Sequence, residues 1–281
     1  MEIKVDRNLF AVWLQTKRLS NRSIFEYVSY FDKFDFGRFN QEYINLFISR
    51  FKGNSVVGAF LNNLFMFIKR TTNYPDEVKE YVSKLYVESS TGRRIKKILR
   101  VITEKQMRDI AIAFDIRNQL ILYLSFYCGL RRSELFGDVF NEEIKPLTYE
   151  HFNITAWNQN RDSDAELNIK GKGNRSRSIP VPAWLMKKVY KFGHDNQKNR
   201  KDIVFDIKKR RWAEVLEKTS DNIIGFKLHP HDLRASCAVW LFIACQKDIV
   251  EVMEILGHDN LSTTQKYLKV SNKMRERYFN V

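Results

Sequence analysis

Apolar and aromatic side chains recur every three or four residues between positions 23 and 68, and this period constrains the fold more than any other feature of the chain. Such a recurrence is typical of helices that bury one stripe of side chains. Three segments carry it, residues 23–31, 41–51 and 55–68. We therefore predict that residues 1–88 form a small helical domain whose inner faces are rich in aromatic rings.

A second domain is predicted to begin at residue 103. Thr103 followed by Gln106 matches a helix N-terminus at which each side chain caps the backbone of the other residue. Helices are expected from there to about Tyr127.

The period changes to alternation after residue 147. Segments 149–157, 165–170 and 175–181 have alternating or β-branched character and are separated by polar turns. They predict a small antiparallel sheet with Lys172 in a tight Gly-Lys-Gly-Asn turn, and helices from there to the end. The expected fold class is α+β, mostly α with a small antiparallel sheet, in two domains of residues 1–88 and 103–281.

The charge balance indicates a polyanionic partner. The chain has 48 Lys and Arg against 33 Asp and Glu, which gives a formal net charge of +15. A surplus of this size on folded domains favours nucleic acid, because each neutralised phosphate releases condensed counterions. A basic protein without such a partner is the alternative.

A basic run separates the two predicted domains. Residues 89–100 contain five basic side chains and no acidic one, and small turn-forming residues open the run. We interpret residues 89–102 as an interdomain linker. The run is either a solvated charged segment or a contact to the backbone of DNA.

The cysteines argue against metal and disulfide chemistry. Cys128, Cys237 and Cys245 form no Cys-x-x-Cys pair, so neither a zinc site nor a disulfide framework is expected. We predict that all three are buried packing residues and that the protein needs no metal and no cofactor. The longest apolar run, 238–245, is too short to span a bilayer, and no signal peptide opens the sequence. A cytoplasmic protein is expected.

Two arginines lie in patterned settings. Arg131 belongs to Gly-Leu-Arg-Arg-Ser-Glu-Leu, and Arg234 ends His-Asp-Leu-Arg. Leu-Gly-His ends at His258, and Tyr267 follows nine residues later in Ser-Thr-Thr-Gln-Lys-Tyr. Guanidinium groups are planar, permanently charged and able to form paired hydrogen bonds, which suits them to phosphate. The pattern indicates a phosphate clamp with a tyrosine directed at it.

These motifs, with the Gly-Lys-Gly turn and the Ile-Pro-Val after it, resemble the tyrosine recombinases, the phage-integrase and Xer-like family, in order and spacing. The resemblance covers roughly residues 102–268. It implies a two-domain DNA clamp, in which residues 103–281 form the catalytic domain. The helical N-terminal domain is similar to the family's core-binding (SAM-like) DNA-binding domain in type and length only.

The resemblance assigns the phosphate chemistry to three residues. Arg131 and Arg234 would hold the non-bridging oxygens of the scissile phosphate, where losing one preorganised donor typically costs roughly 10²–10³ in rate. Tyr267 would be the nucleophile. A phenol is mostly protonated at neutral pH, so it needs a nearby base or a strong positive field.

The remaining roles are also implied by the resemblance. Lys172 would protonate the leaving 5′ oxygen, with a contact to the DNA backbone as its alternative. His231 would assist proton removal from Tyr267, His258 would bond to a non-bridging oxygen, and Glu134 would orient the arginines without reacting. Further contacts to DNA are predicted for the basic residues of the linker and the sheet: Arg93, Arg94, Lys96, Lys97, Arg100, Lys170, Arg175 and Arg177.

The function that the resemblance implies is a site-specific recombinase or integrase that cleaves and rejoins double-stranded DNA through a 3′-phosphotyrosine. It would act as a dimer or tetramer on DNA in a prokaryotic cell, or for a virus or plasmid in such a host. Residues 270–281 would contact the adjacent protomer or pack on their own domain. The alternatives are a type IB topoisomerase-like or telomere-resolving enzyme and, less favoured because every reacting residue is present, a non-catalytic DNA-binding protein.

Overall fold

The computed structural model describes residues 3–51, 55–87, 100–170 and 176–279, with the backbone alone described for 272–279. The chain divides into two compact units, Met1–Lys97 and Ile98–Val281. The division falls within the stretch predicted as a linker, of which residues 89–99 lie outside the described ranges.

The described part of the first unit is helical. The segments predicted at 23–31, 41–51 and 55–68 are confirmed as helices, and two helices that the periodicity did not indicate lie on either side of them. In chain order they are α1 (Arg7–Gln15), α2 (Asn21–Phe31), α3 (Gln41–Arg50), α4 (Ser55–Arg70) and α5 (Asp76–Lys84).

Aromatic rings fill the core of this unit. Phe34 lies among several of them, with its ring centroid 5.1 Å from that of Phe47 and 5.2 Å from that of Tyr43, both in edge-to-face geometry. Phe10 packs in the same way on Phe67, at 5.4 Å. Such contacts contribute beyond the area they bury, and they explain why so many apolar positions here are aromatic.

The second unit contains the remaining helices and the sheet. Thr103 and Gln106 cap the first helix reciprocally, as predicted. In chain order the elements are α6 (Glu104–Ile112), α7 (Ile116–Tyr127), α8 (Arg132–Phe136), α9 (Ile154–Trp157), β1 (Ala165–Lys170), β2 (Ser176–Val181), α10 (Ala183–Asp195), α11 (Lys209–Ile224), α12 (Pro230–Ile243), α13 (Ile249–Leu256) and α14 (Leu261–Phe279).

Helix α12 is the central element of this unit. It is buried over most of its length and packs against α7 and α14. Its apolar residues, with those of α13 and α14, form a cluster that includes Leu241, Leu256 and Tyr267. Helix α7 and the sheet contribute to a larger neighbouring core.

The sheet has one strand fewer than predicted among the described residues. Strands β1 and β2 pair antiparallel, with Ala165 opposite Val181 and Lys170 opposite Ser176. The strand predicted at 149–157 is wrong: it forms a 3₁₀ turn and then α9, with a single bridge from Phe152 to Leu167. The side chain of Asn153 accepts a hydrogen bond from the Ala156 N–H and caps α9, which favours a helical turn over an extended strand.

Helix α14 runs without a break from Leu261 to Phe279. One further expectation is corrected. Cys128 and Cys237 are buried as predicted, but Cys245 is exposed because α12 ends at Ile243 and the chain turns there. Among the described helices, none combines the length and apolar character that a bilayer crossing requires.

Candidate active site

The C-terminal end of α13 is the centre of the candidate site. The helix ends at Gly257, whose φ of 60° lies in the left-handed region that glycine adopts without strain. The N–H groups of Gly257 and His258 donate to the carbonyls of Glu254 and Met253, each at 3.0 Å. This Schellman turn satisfies two of the carbonyls at the helix end and places His258 directly after it.

An arginine bonds to each of the next three carbonyls. The carbonyls of residues 255, 256 and 257 accept hydrogen bonds from Arg177, Arg234 and Arg131 respectively. Aligned peptide dipoles give a helix C-terminus partial negative charge, so three cations are favourable there. The same bonds bring Arg131 and Arg234 together, although about a hundred residues of chain separate them.

Arg234 extends from α12 and is almost fully buried, at 2% exposure. Besides the α13 carbonyl, its guanidinium donates to the carbonyl of Gly129. Burial, and then the positive charge of Arg131, lower the pKa of Arg234 to about 9, with Glu134 opposing them. The group is therefore still cationic at neutral pH.

Arg131 stands at the N-cap of α8 and is anchored by Glu134. Its backbone N–H donates to Glu134 Oε2 at 2.7 Å, and its Nη1 donates to Oε1 at 2.8 Å. The side chain of Arg131 keeps 34% of its surface exposed, whereas that of Glu134 keeps 1%. Although burial opposes ionisation, hydrogen bonding and charge from Arg177 and charge from Arg131 lower the pKa of Glu134 to about 2. Glu134 is thus a permanent anion that holds arginines in place.

His258 and Tyr267 lie side by side. Their ring centroids are 5.8 Å apart with the planes tilted by 30°, and His258 Nδ1 forms a hydrogen bond of 2.8 Å with Thr264 Oγ1. Burial first, and then the charges of Arg234, Arg131, His231 and Arg177, lower the pKa of His258 to about 4, so its imidazole is neutral at neutral pH.

The phenol of Tyr267 is buried, with 4% of the residue exposed. Burial raises the pKa of Tyr267, while the positive charges of Arg234 and Arg131 act in the opposite direction. The hydroxyl is therefore protonated at neutral pH, close to two arginines whose charges would favour its anion.

A cavity of about 640 Å³ opens beside the end of α13. Arg131, Glu134, Arg177, Gly257 and His258 are among its lining residues, whereas the buried Arg234 and Tyr267 are not. The cavity is large enough for a phosphate group and presents Arg131 and His258 to it. Within the described ranges no cluster of three or more His, Cys, Asp or Glu could hold a metal ion.

Other predicted residues are placed as follows. His231 is exposed in the first turn of α12, near enough to His258 for its charge to lower the pKa of that imidazole. Arg100 and Lys170 are exposed, and Arg100 donates to the carbonyl of Lys227. The rest of the predicted set lies outside the described residues: Arg93, Arg94, Lys96, Lys97, Lys172 and Arg175.

Arg177 is placed differently from the expectation of a DNA contact. Its Nη1 and Nη2 donate to both oxygens of Glu134, at 2.8 and 2.9 Å, and 11% of its side chain is exposed. A guanidinium engaged in this way has little surface left for a phosphate outside. Sequence reasoning also missed Thr264 as the partner of His258. Neither role has a local sequence signal, because each depends on contacts between elements.

The arginine-histidine-tyrosine cluster lies within a region that matches a known protein family. Residues 91–274 match the model of the Phage integrase family, and the chain belongs to that family. The resemblance seen in the motifs is thereby confirmed.

Two curated relatives are similar over most of the same region. Tyrosine recombinase XerA of Pyrococcus horikoshii is 27% identical over 187 residues, 63% of this chain and 59% of the relative. Tyrosine recombinase XerA of Thermococcus onnurineus is 28% identical over 213 residues, 72% of this chain and 66% of the relative. The chain thus spans less than two thirds of the length of either relative.

Two solved structures share the fold. XerH site-specific recombinase bound to palindromic difH, a post-cleavage complex, aligns with a TM-score of 0.61 at 18% identity, over 91% of this chain and 76% of that one. A lambda integrase dimer bound to a COC′ core site aligns with a TM-score of 0.61 at 12% identity, over 93% and 75% respectively. At these identities the likeness establishes the fold alone.

Proposed function

We propose that this protein is a site-specific DNA recombinase or integrase that cleaves and rejoins DNA strands through a 3′-phosphotyrosine intermediate. The observation that carries the proposal is the convergence of Arg131, Arg234 and His258 at one helix end, beside the ring of Tyr267. Cationic and neutral donors around one small cavity suit a phosphodiester, whose charge increases on the non-bridging oxygens as a nucleophile attacks.

The proposed reaction is a transesterification. The phenolic oxygen of Tyr267 attacks phosphorus, its proton passes towards His231, and the bond to the 5′ oxygen breaks. Lys172, in the Gly-Lys-Gly sequence that follows β1, gives the leaving oxygen its proton. Arg131 and His258, which line the cavity, hold the non-bridging oxygens. Arg234, at 2% exposure, joins them only after the rearrangement that also exposes Tyr267. The phosphotyrosine ester conserves the bond energy, so the reverse attack by a 5′ hydroxyl rejoins the strand without ATP.

Access to the nucleophile requires a change in α14. Tyr267 is buried against α12 and α13, and its phenol is protonated at neutral pH. A shift of α14 on binding DNA would bring the phenol to the phosphate and leave it within the positive field of Arg131 and Arg234. That field would stabilise the phenolate as it forms.

Duplex DNA is the proposed partner. The net charge of +15 supports it, and so do the similar proteins that were captured on DNA, XerH on difH and a lambda integrase dimer on a core site. We propose that the helical first unit is the core-binding domain, that the protein acts as a dimer or tetramer on DNA, and that residues 270–281 contribute to the contact between protomers. The proposed location is the cytoplasm of a prokaryotic cell.

The test begins with the target sequence. Duplexes retained by the protein from a random library should converge on an inverted repeat around a short spacer, and a labelled duplex of that sequence is then incubated with the protein. Wild type should give a covalent protein–DNA adduct that persists on a denaturing gel. Tyr267→Phe should bind the duplex with unchanged affinity and give no adduct, since phenylalanine lacks the attacking oxygen.

An undiminished adduct in the Tyr267→Phe variant would rule out Tyr267 as the nucleophile. Relaxation of a supercoiled plasmid distinguishes the alternatives. A site-specific recombinase relaxes only a plasmid that carries the selected sequence, whereas a type IB topoisomerase-like enzyme relaxes both plasmids. Binding without any adduct would indicate a non-catalytic DNA-binding protein.

A further inference from the structure

Arg177 is the most fully engaged of the three arginines at the end of α13. It lies near the start of β2, and Nε, Nη1 and Nη2 all donate, to the carbonyl of Ile255 and to the two oxygens of Glu134. Its side chain keeps 11% of its surface exposed, against 34% for that of Arg131. Both arginines line the cavity, but Arg177 has all three of its nitrogens engaged and presents less surface to it than Arg131 does.

Glu134 is shared between the two arginines. Its Oε1 accepts from Nη1 of both Arg131 and Arg177, each at 2.8 Å, and its Oε2 accepts from Arg177 Nη2 and from the Arg131 backbone. A buried carboxylate without Arg177 would be free to draw the whole guanidinium of Arg131 into a paired bond. With Arg177 present, Arg131 gives Glu134 one side-chain donor and keeps Nη2 for the carbonyl of Gly257.

Arg177 also links the sheet to the helix end that carries His258. Arg177 donates to the carbonyl of Ile255, three residues before His258, in the turn that sets the direction of the His258 imidazole. The side chain of Arg177 also packs closely against the backbone of Gly257. A Cβ at that position would come within 2.9 Å of Arg177 Cδ, so the side chain occupies space that only glycine leaves open.

We propose that Arg177 is a positioning residue of this site: by holding Glu134 and the end of α13 together, it fixes the spacing of Arg131 and His258 around the phosphate. It touches neither the phosphate nor the nucleophile. This inference rests on the proposed function for its consequence in catalysis, but its effect on the geometry of the site can be measured without any reaction.

The first measurement is the titration of His258, followed by its imidazole NMR resonances in the DNA-free protein. The groups that lower the pKa of His258 by their charge are Arg234, Arg131, His231 and Arg177. Arg177→Ala removes one charge and loosens the turn, so the pKa of His258 should rise from about 4 towards its ordinary value. Arg177→Lys keeps the charge without the forked contacts and should give a smaller rise.

A matched control is Arg161→Ala. Arg161 is an exposed arginine of the same unit that lies over the rings of Trp157 and Tyr190. Its removal costs the protein one positive charge and some packing, but it should leave the His258 titration unchanged.

The second measurement is single-turnover cleavage of the selected duplex, with either a phosphate or a neutral methylphosphonate at the scissile position. If Arg131 is misplaced, the rate of cleavage should fall most on the charged phosphate, because the neutral methylphosphonate depends less on a nearby cation. Arg177→Ala should therefore slow adduct formation on phosphate by roughly 10²-fold, the usual loss of a preorganised donor. On methylphosphonate it should have a much smaller effect, and duplex affinity should stay within about twofold of wild type because Arg177 makes no phosphate contact.

Arg177→Lys guards against a variant that fails to fold, because it keeps a cation beside Glu134. It should fall between wild type and Arg177→Ala in both measurements. An unmoved His258 pKa in both variants would overturn the proposal. Equal losses on the two substrates, together with a matching loss of thermal stability, would also overturn it and assign Arg177 a purely structural role.

The two proposals fail in different ways. If wild-type protein forms no adduct on either duplex, the proposed function is wrong, while the His258 titration still decides whether Arg177 sets the geometry of the site. If wild type forms the adduct and neither substitution slows it, the function stands and the positioning role is wrong.

Discussion

The arginine cluster depends on backbone conformations that only glycine adopts at low cost. Gly129 has a φ of 59°, and its carbonyl accepts a hydrogen bond from the buried Arg234. A Cβ at this position would come within 2.4 Å of Leu256 Cδ2. Gly129 thus allows the turn that leads to Arg131, and its carbonyl binds the guanidinium of Arg234.

Gly129→Ala should therefore be more destabilising than a positive φ alone explains. We expect about 1–2 kcal/mol from the left-handed backbone and about 1–3 kcal/mol from overpacking against Leu256. Gly225→Ala is the matched control, because its φ is 76° and its added Cβ would meet nothing within 4 Å. Urea unfolding of both variants should show the larger loss at Gly129, and equal losses would contradict the packing argument.

The titration of His258 predicts how stability depends on pH. Its pKa in the folded protein, about 4, lies below the ordinary value of 6.5, so the unfolded chain binds more protons between these pH values. Its contribution to stability should be fully present above about pH 6.5 and be lost as the pH falls to about 4. Glu134, lowered from 4.5 to about 2, should weaken the fold in the same direction at lower pH.

Urea unfolding between pH 4 and pH 8 checks this expectation by comparing wild type with His258→Gln. The variant cannot take up a proton at this position, so its stability should vary less over pH 4–6.5. Parallel curves for the two proteins would show that His258 titrates normally in the fold.

At the scale of elements, helix α13 is a short helix with a cap at each end. Asp248 caps its N-terminus by accepting from the N–H groups of Val250 and Glu251, at 2.7 and 2.8 Å. Its other end carries the Schellman turn and the three arginine bonds. Because the helix spans only Ile249–Leu256, fraying at the N-cap is close enough to disturb the arginine cluster.

Asp248→Ala should destabilise the second unit by about 1 kcal/mol, the usual cost of removing an N-cap. It should also slow adduct formation, because the carbonyls at the end of α13 position Arg131 and Arg234. Asp6→Ala removes the equivalent cap of α1, where the carboxylate accepts from Asn8 and Leu9. We expect Asp6→Ala to lower the free energy of unfolding of the first unit by a similar amount. It should not change the rate of adduct formation on bound duplex.

Element type was predictable where one period ran over nine or more residues, as in α2, α3 and α4. It was not predictable at 149–157, where alternating apolar residues suggested a strand. Tyr149 and Trp157 are buried there from a 3₁₀ turn and a short helix, because tertiary packing and the Asn153 cap outweigh the local preference for a strand.

At the scale of the whole molecule, the surplus of 15 positive charges should dominate binding to DNA of arbitrary sequence. Affinity for such DNA falls linearly on a log–log plot against salt, with a slope close to the number of phosphates neutralised. Lys96→Ala and Lys97→Ala should each weaken binding and reduce that slope by about one if the run at 89–102 contacts the backbone.

Fluorescence anisotropy of a labelled duplex over a range of salt concentrations measures both quantities. Lys191→Ala is a control of equal charge change, since Lys191 is an exposed lysine already paired with Asp195. An affinity and slope identical to wild type in the Lys96 and Lys97 variants would place the predicted linker away from the DNA.

The sequence by itself determined the helices of the first unit and two of the three strands it predicted, and it singled out the candidate residues Arg131, Arg234, His258 and Tyr267, because period and motif spacing are local properties. Only the tertiary structure decided what holds those residues. The backbone carbonyls that bind the arginines occur at every position of any chain, so no residue type in the sequence identifies them. From the sequence alone, Arg177 resembles any surface cation, because its contacts with Glu134 and the end of α13 form only in the folded protein.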